Sequence, residues 1–80
     1  MIKYHKQAEK FILSQGKTTA LRLYNAIDKL PNGDVKRLQG HKSSKLYRLR
    51  VGNYRVVYQL ELDVIYIMRV DTRGDVYKRN

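Results

Sequence analysis

The sequence predicts a single α+β domain in which two N-terminal helices pack on one face of a small antiparallel β-sheet. Two patterns support this fold class. Apolar residues recur at helical spacing up to about residue 30, and beyond residue 45 they alternate with polar residues at the period of two that strands require. Eighty residues are enough for one modest core, so we expect residues 1–80 to form one domain.

The N-terminal half begins with a short predicted strand at Ile2–His5, followed by two helices. The first helix starts at Lys6 and is expected to end near Gly16. Thr18 or Thr19 is the predicted N-cap of the second helix, which ends at the Pro-Asn-Gly turn. One apolar stripe runs along this second helix and consists of Ala20, Leu23, Tyr24, Ile27 and Leu30. Each helix therefore has an apolar face to place against a sheet.

The stretch "KLYRLRVGNYRVVYQL" at 45–60 predicts a β-hairpin with Gly52-Asn53 as its loop. In this register Arg50 lies directly opposite Arg55. One face of the hairpin is then apolar and carries Tyr47, Leu49, Val51, Tyr54, Val56, Tyr58 and Leu60. The opposite face carries Arg48, Arg50, Arg55, Val57 and Gln59. The apolar face is suited to packing under the helices.

Two further strands complete the predicted meander. The stretch "VIYIMRV" at 64–70 is almost continuously apolar, which is typical of a central strand covered on both faces. A last short strand is predicted around Val76-Tyr77.

The charge of the chain indicates a polyanion or a strongly acidic protein as its partner. Seventeen Lys and Arg residues against seven Asp and Glu residues give a net charge of +10. Like charges that face each other across a hairpin are destabilising, and no acidic residue lies between Asp34 and Glu61 to relieve Arg50 and Arg55 on these two strands. A phosphate backbone would relieve them, since the arginine fork binds phosphate in bidentate fashion.

Several other classes of site are not expected. The chain has no cysteine, which excludes disulfides and thiolate metal sites, and His5 and His41 lack metal-ligand spacing. No small-molecule cofactor, phosphate-cradling glycine loop or nucleophile–histidine arrangement is indicated. No apolar run approaches the ~18 residues of a membrane span, and no signal-peptide pattern is present, so we expect a cytoplasmic protein without a membrane partner.

The pattern "VKRLQG…YRLRVGNYRVVYQ…DVY" resembles the RelE/ParE superfamily of bacterial type II toxins, and within it the RelE branch of ribosome-associated mRNA endonucleases. The resemblance covers nearly the whole chain, and the hairpin is its most specific part. It implies a metal-independent endoribonuclease that cleaves mRNA in the ribosomal A site by attack of a ribose 2′-OH on the adjacent phosphate. It also implies a cognate acidic antitoxin as the partner that covers the basic face.

The resemblance also implies a set of catalytic residues in this sequence. The "YRLR" motif offers Arg48 and Arg50, which would orient the RNA backbone and the leaving group. Both positions are often lysine in RelE-like enzymes. Arg55 from "NYR" and Arg73 from "DTRGD" would stabilise the phosphorane, and Tyr77 from "DVY" would act as the base.

Three alternatives remain open at this stage. The ParE branch of the superfamily inhibits DNA gyrase and lacks the nuclease residues. A non-catalytic module would bind RNA in the same groove without cutting it. A degenerate toxin would retain only the binding of its antitoxin. Cleavage products distinguish the nuclease from the other three, and a DNA supercoiling assay identifies the gyrase inhibitor.

Overall fold

A five-stranded sheet forms one layer of the molecule, and two helices lie across one of its faces. The computed structural model describes residues 1–38 and 45–72. The elements follow in the order β1 (Ile2–Tyr4), α1 (Lys6–Leu13), α2 (Lys17–Asp28), β2 (Asp34–Arg37), β3 (Leu46–Val51), β4 (Tyr54–Glu61) and β5 (Val64–Thr72). The predicted α+β class, with both helices on one face, is confirmed.

The order of strands across the sheet is β1-β5-β4-β3-β2. The pairs β2–β3, β3–β4 and β4–β5 are antiparallel, as predicted, whereas β1 runs parallel to β5. The sheet is therefore mixed. The helices carry the chain from β1 at one edge to β2 at the other edge, and three reversals then bring β5 back beside β1 in the same direction.

The two helices form a hairpin of their own. In α1 the Nδ1 atom of His5 accepts a hydrogen bond from the backbone N–H of Gln7 at 3.2 Å and caps the helix. The predicted cap of α2 at Thr18 or Thr19 is wrong, because α2 begins at Lys17 with Gly16 as its N-cap. Gly16 has a φ of 93°, a conformation open to glycine, and this lets the chain reverse directly after α1.

The core lies between the helices and the apolar face of the hairpin. The predicted stripe of α2 is confirmed, since Ala20, Leu23, Ile27 and Leu30 are buried. The partly buried ring of Tyr24 packs edge-on against Tyr4, with ring centroids 5.5 Å apart. From the sheet side, the most deeply buried residues are Leu49, Val56 and Ile67.

The predicted hairpin register is confirmed. Arg50 pairs with Arg55, and Leu49 pairs with Val56. Strand β2 was not expected from the sequence, and it pairs with β3 at the edge of the sheet. The predicted strand at Val76-Tyr77 lies outside the described residues.

Strand β5 lies inside the sheet but is covered on one face only, contrary to expectation. Tyr66 on the uncovered face is 38% exposed, while Ile67 is fully buried. A bulge changes the alternation, because Tyr58 pairs with Ile67 whereas Val57 pairs with Arg69, so that Met68 is an extra residue. As a result Arg69 and Asp71 point to the uncovered face. Within the part of the chain that the structure describes, neither helix is long and apolar enough to cross a membrane.

Substitution of Leu23 tests the buried face of α2. Leu23 is 0% exposed, so we expect Leu23→Ala to lower the free energy of unfolding by about 2–5 kcal/mol through the cavity it leaves. Leu21 is 57% exposed on the same helix, and Leu21→Ala is the matched control with an expected change below about 0.5 kcal/mol. Urea denaturation followed by circular dichroism measures both, and equal losses would contradict this orientation of α2.

Alkaline pH tests the environment of Tyr4. Burial, followed by the charge of Asp28, raises the pKa of Tyr4 to about 12. The unfolded chain releases this proton near the ordinary pKa of 10.0 and the folded chain retains it, so the free energy of unfolding falls between pH 10 and 12. We expect a smaller fall in Tyr4→Phe than in the parent or in the exposed-site control Tyr66→Phe. Urea denaturation at pH 9 and pH 11 measures this difference, and identical falls would contradict it.

Candidate functional site

The face of the sheet that the helices leave uncovered carries two rows of cross-strand neighbours. We call these rows the arginine face. The first row consists of Asp34, Arg50, Arg55 and Asp71, and the second of Lys36, Arg48, Val57 and Arg69. Five basic side chains therefore share this surface with two carboxylates. Cross-strand neighbours point to the same side of a sheet and lie within interaction distance, so the rows act as one charged surface.

The first row has two arginines in the middle and one aspartate at each end. Arg50 and Arg55 face each other in the middle, and a carboxylate flanks each of them on the adjacent strand. Arg55 donates from Nε and Nη2 to the two carboxylate oxygens of Asp71, both at 3.2 Å. The sequence places no carboxylate near these arginines on the two hairpin strands alone, and the structure adds carboxylates from the neighbouring strands. The only carboxylate on β3 and β4 is Glu61, at the far end of β4 from Arg55, but the adjacent strands β2 and β5 supply Asp34 and Asp71 beside these arginines.

Asp71 holds a second guanidinium as well. Its Oδ2 atom lies 3.3 Å from Nε of Arg69. The Nε atoms of both arginines therefore lie within ion-pair distance of this carboxylate. In Arg55 the two N–H groups of Nη1 take no part in the pair. Asp71 therefore orients Arg55 while leaving part of its fork for another acceptor.

Arg48 is in a different position from its neighbours. Only 13% of its side chain is exposed, and its Nη1 atom lies 3.9 Å from Oδ1 of Asp34, the long limit of an ion pair. Its Nη1 atom is buried and has no hydrogen-bond acceptor among residues 1–38 and 45–72. A buried donor without an acceptor costs about 1–3 kcal/mol of folding free energy. An anion that accepted a hydrogen bond from this atom would remove that cost.

The structure brings three of the five predicted site residues together, namely Arg48, Arg50 and Arg55. Arg73 and Tyr77 lie outside the described residues, and their roles stay predictions. Four charged members of the face were not anticipated: Asp34, Lys36, Arg69 and Asp71. The first two were missed because β2 was not predicted. Arg69 and Asp71 could have been predicted from the sequence. They lie two residues apart at the end of an apolar run, and residues at this spacing in a strand point to the same face.

The arginines of the arginine face are suited by their chemistry to hold anions rather than to transfer protons. Arginine keeps its proton in proteins and has no acceptor. Burial, followed by the neighbouring Tyr47, raises the pKa of Tyr58, and that tyrosine lies on the core face. Within residues 1–38 and 45–72, no group of three His, Cys, Asp or Glu side chains is placed to hold a metal ion. Proton transfer at this surface requires a group other than these arginines.

Comparisons with known proteins find relatives of this sequence and this fold. Residues 2–77 match the family model described as the ParE toxin of the type II toxin-antitoxin system, parDE. A chain of the archaeal RelE–RelB complex from Pyrococcus horikoshii OT3 is 33% identical, with a TM-score of 0.75 over 91% of this chain and 93% of that chain. A chain of the RelB–RelE antitoxin–toxin complex from Methanococcus jannaschii is 24% identical, with a TM-score of 0.72 over 98% of both chains, a likeness of fold. No curated protein sequence gives a match.

Removal of the Asp71 carboxylate tests the charge balance of the arginine face. We expect Asp71→Asn to lower the free energy of unfolding by about 0.5–1 kcal/mol at low ionic strength, because Arg55 and Arg69 lose a partly exposed partner. Asp63→Asn removes the same charge from the β4–β5 turn and is the control. Urea denaturation at low salt and in about 1 M NaCl measures both, since salt screens the difference. If Asp71→Asn and Asp63→Asn lowered the free energy of unfolding equally at low salt, the ion pairs of Asp71 would contribute no stability.

Proposed function

The chain belongs to the RelE/ParE superfamily of type II toxins, and from this premise we propose that it is an mRNA endonuclease that cuts RNA bound to the arginine face. The observation that carries the proposal is the arrangement of Arg48, Arg50 and Arg55. Arg50 faces Arg55, and the buried Nη1 atom of Arg48 has no acceptor in the part of the chain that the structure describes. A phosphate backbone supplies the negative charge and the acceptors that this arrangement needs.

The proposed chemistry is attack of a ribose 2′-OH on the adjacent phosphate, which requires no metal. Arg55 stabilises the charge of the phosphorane with the N–H groups that Asp71 leaves available, and Arg73 is proposed to do the same. A well-placed donor of this kind contributes about 3–4 kcal/mol to transition-state stabilisation. Arg48 and Arg50 orient the backbone and the leaving group, and Tyr77 is the proposed base.

The ribosome is the proposed setting of this reaction. Arginines are poor proton donors at neutral pH, so the isolated protein is expected to cleave slowly. Messenger RNA held in the ribosomal A site presents the 2′-OH, the phosphate and the leaving oxygen in a defined geometry, which lowers the entropic part of the barrier. This setting places the activity in the cytoplasm.

A cognate antitoxin is the protein partner of this toxin. The similar chain from Pyrococcus horikoshii was solved in a RelE–RelB complex. For this chain we propose an acidic antitoxin segment that covers the arginine face, where its carboxylates take the place of RNA phosphates. The net charge of +10 supports this choice of partner.

A second candidate function is inhibition of DNA gyrase, as in the ParE branch. The observation that favours it is the match of residues 2–77 to the ParE toxin model. In that case the arginine face serves to bind the antitoxin and has no nuclease role.

Replacement of Arg55 tests the nuclease. We expect Arg55→Ala to reduce cleavage by about 10²–10³-fold, because it removes a donor to the phosphorane. Lys17→Ala removes the same charge at the start of α2 on the helix layer, away from the arginine face, and is expected to cleave like the parent. Primer extension on an mRNA in a reconstituted translation system, with and without ribosomes, measures the cuts, and circular dichroism verifies the fold.

Each result of this experiment identifies one function. Ribosome-dependent cuts that Arg55→Ala abolishes support the nuclease, and parental cleavage by Arg55→Ala overturns the assigned site. An intact message together with loss of DNA supercoiling activity identifies the gyrase inhibitor. If the message stays intact and DNA supercoiling is unaffected, the protein is a binding module without either activity.

A further inference from the structure

A second basic site lies at the edge of the sheet, where α2 meets the start of β2 and the end of β3. It is a pocket of about 310 Å³. Three cationic residues line it: Arg22 from the middle of α2, Lys29 at the C-cap of α2, and Arg50 from β3. Apolar residues, among them Leu49 and Val51, form part of its wall. The pocket therefore combines positive charge with an apolar surface.

The positive charge of this edge pocket is not balanced within residues 1–38 and 45–72. No ion pair engages the side chain of Arg22, Lys29 or Arg50 in that part of the chain. Asp34 is the carboxylate that lines the pocket, and its Oδ1 atom is within ion-pair distance of Arg48. Three cations around a concave surface repel one another and concentrate a positive potential that an anion would neutralise.

Arg22 of α2 lies against the loop of the β3–β4 hairpin. Its guanidinium lies over Gly52, where a Cβ atom would collide with it. Gly52 has a φ of 59°, as the hairpin loop requires, and this backbone conformation favours glycine. Arg22 is thereby placed beside the end of the hairpin that carries Arg50 and Arg55.

Arg50 connects the pocket to the arginine face. Its register places it opposite Arg55 in the first row of that face, and it also lines the edge pocket. The positive surface thus continues from the sheet face around β3 to the pocket. One polyanionic strand is able to contact both surfaces.

We propose that the edge pocket binds one nucleotide of the RNA strand, next to the segment on the arginine face. Arg22, Lys29 and Arg50 take the phosphate, and the apolar wall takes the sugar or the base. The volume of about 310 Å³ lies at the lower end of the ~300–1,000 Å³ range of small-molecule pockets, which suits a single nucleotide. The choice of RNA rests on the proposed function, since the same strand extends from the cleavage site.

Two binding measurements test the pocket. In the first, adenosine monophosphate is titrated into the isotope-labelled protein, and amide chemical shifts are followed by NMR. We expect the largest shifts at lining residues such as Ala26, Gly33 and Val51. Shifts at other sites with none in the pocket would overturn the proposal.

The second measurement is the affinity for a short single-stranded RNA, by fluorescence anisotropy at several salt concentrations. Lys29→Glu is expected to bind about tenfold more weakly and to lower the salt dependence of log K by about 0.7, the loss of one phosphate contact. Lys10→Glu is the matched control. Lys10 lies in the last turn of α1, and Lys29 is the C-cap of α2. Both substitutions therefore reverse the same charge and remove the same favourable interaction with a helix dipole. Equal effects in the two variants would overturn the proposal.

These outcomes separate the pocket from the nuclease. Messenger RNA cleavage by the parent, with equal RNA binding by Lys29→Glu and Lys10→Glu, overturns the pocket and leaves the nuclease intact. Adenosine monophosphate shifts in the pocket without cleavage support the pocket and overturn the nuclease. Pocket shifts with an acidic peptide but none with adenosine monophosphate identify a protein-binding site and overturn the nucleotide proposal.

Discussion

The register of the β3–β4 hairpin is the constraint on which the rest of this structure depends. Side chains alternate along a strand, so the register that buries Leu49 against Val56 also places Arg50 opposite Arg55. Burial of each of these apolar side chains contributes about 1.5–3 kcal/mol, whereas an opposed pair of like charges costs on the order of 1 kcal/mol or less. The hydrophobic core therefore determines the pairing, and the charge repulsion on the other face is its consequence.

The outer strands compensate for this repulsion without removing the positive charge. Asp34 and Asp71 stand at the two ends of the first row, and Asp71 binds Arg55 and Arg69 at once. Each compensating pair is partly exposed and contributes little by itself, so the face keeps an excess of positive charge. This arrangement permits a stable fold in the absence of an anion. It also leaves the buried Nη1 atom of Arg48 without a hydrogen-bond acceptor among residues 1–38 and 45–72.

The fold alone does not determine what this toxin acts on, because the same superfamily contains nucleases and gyrase inhibitors. Function must be argued from the charged residues that the fold presents. The arginine face supports the nuclease, and the edge pocket extends the same positive surface around β3 through Arg50. The proposed RNA strand would contact both surfaces along its length.

Periodic local patterns are what the sequence by itself determined about this protein. The apolar stripe of α2 and the hairpin register follow from the periods of 3.6 and 2, and the glycine–asparagine loop sets the register. The placement of Arg48, Arg50 and Arg55 on one face follows from that register, so most of the predicted site within the described residues needed no tertiary information.

The tertiary structure decided the features that depend on contacts between distant segments. Strand β2 forms because β3 offers it a partner, and the parallel pairing of β1 with β5 follows from the path of the helices. The bulge at Met68 turns Arg69 and Asp71 toward the arginine face, and the approach of β5 to β4 then joins Asp71 to Arg55. No local pattern encodes such contacts, because their free energy exists only when segments far apart in the chain meet.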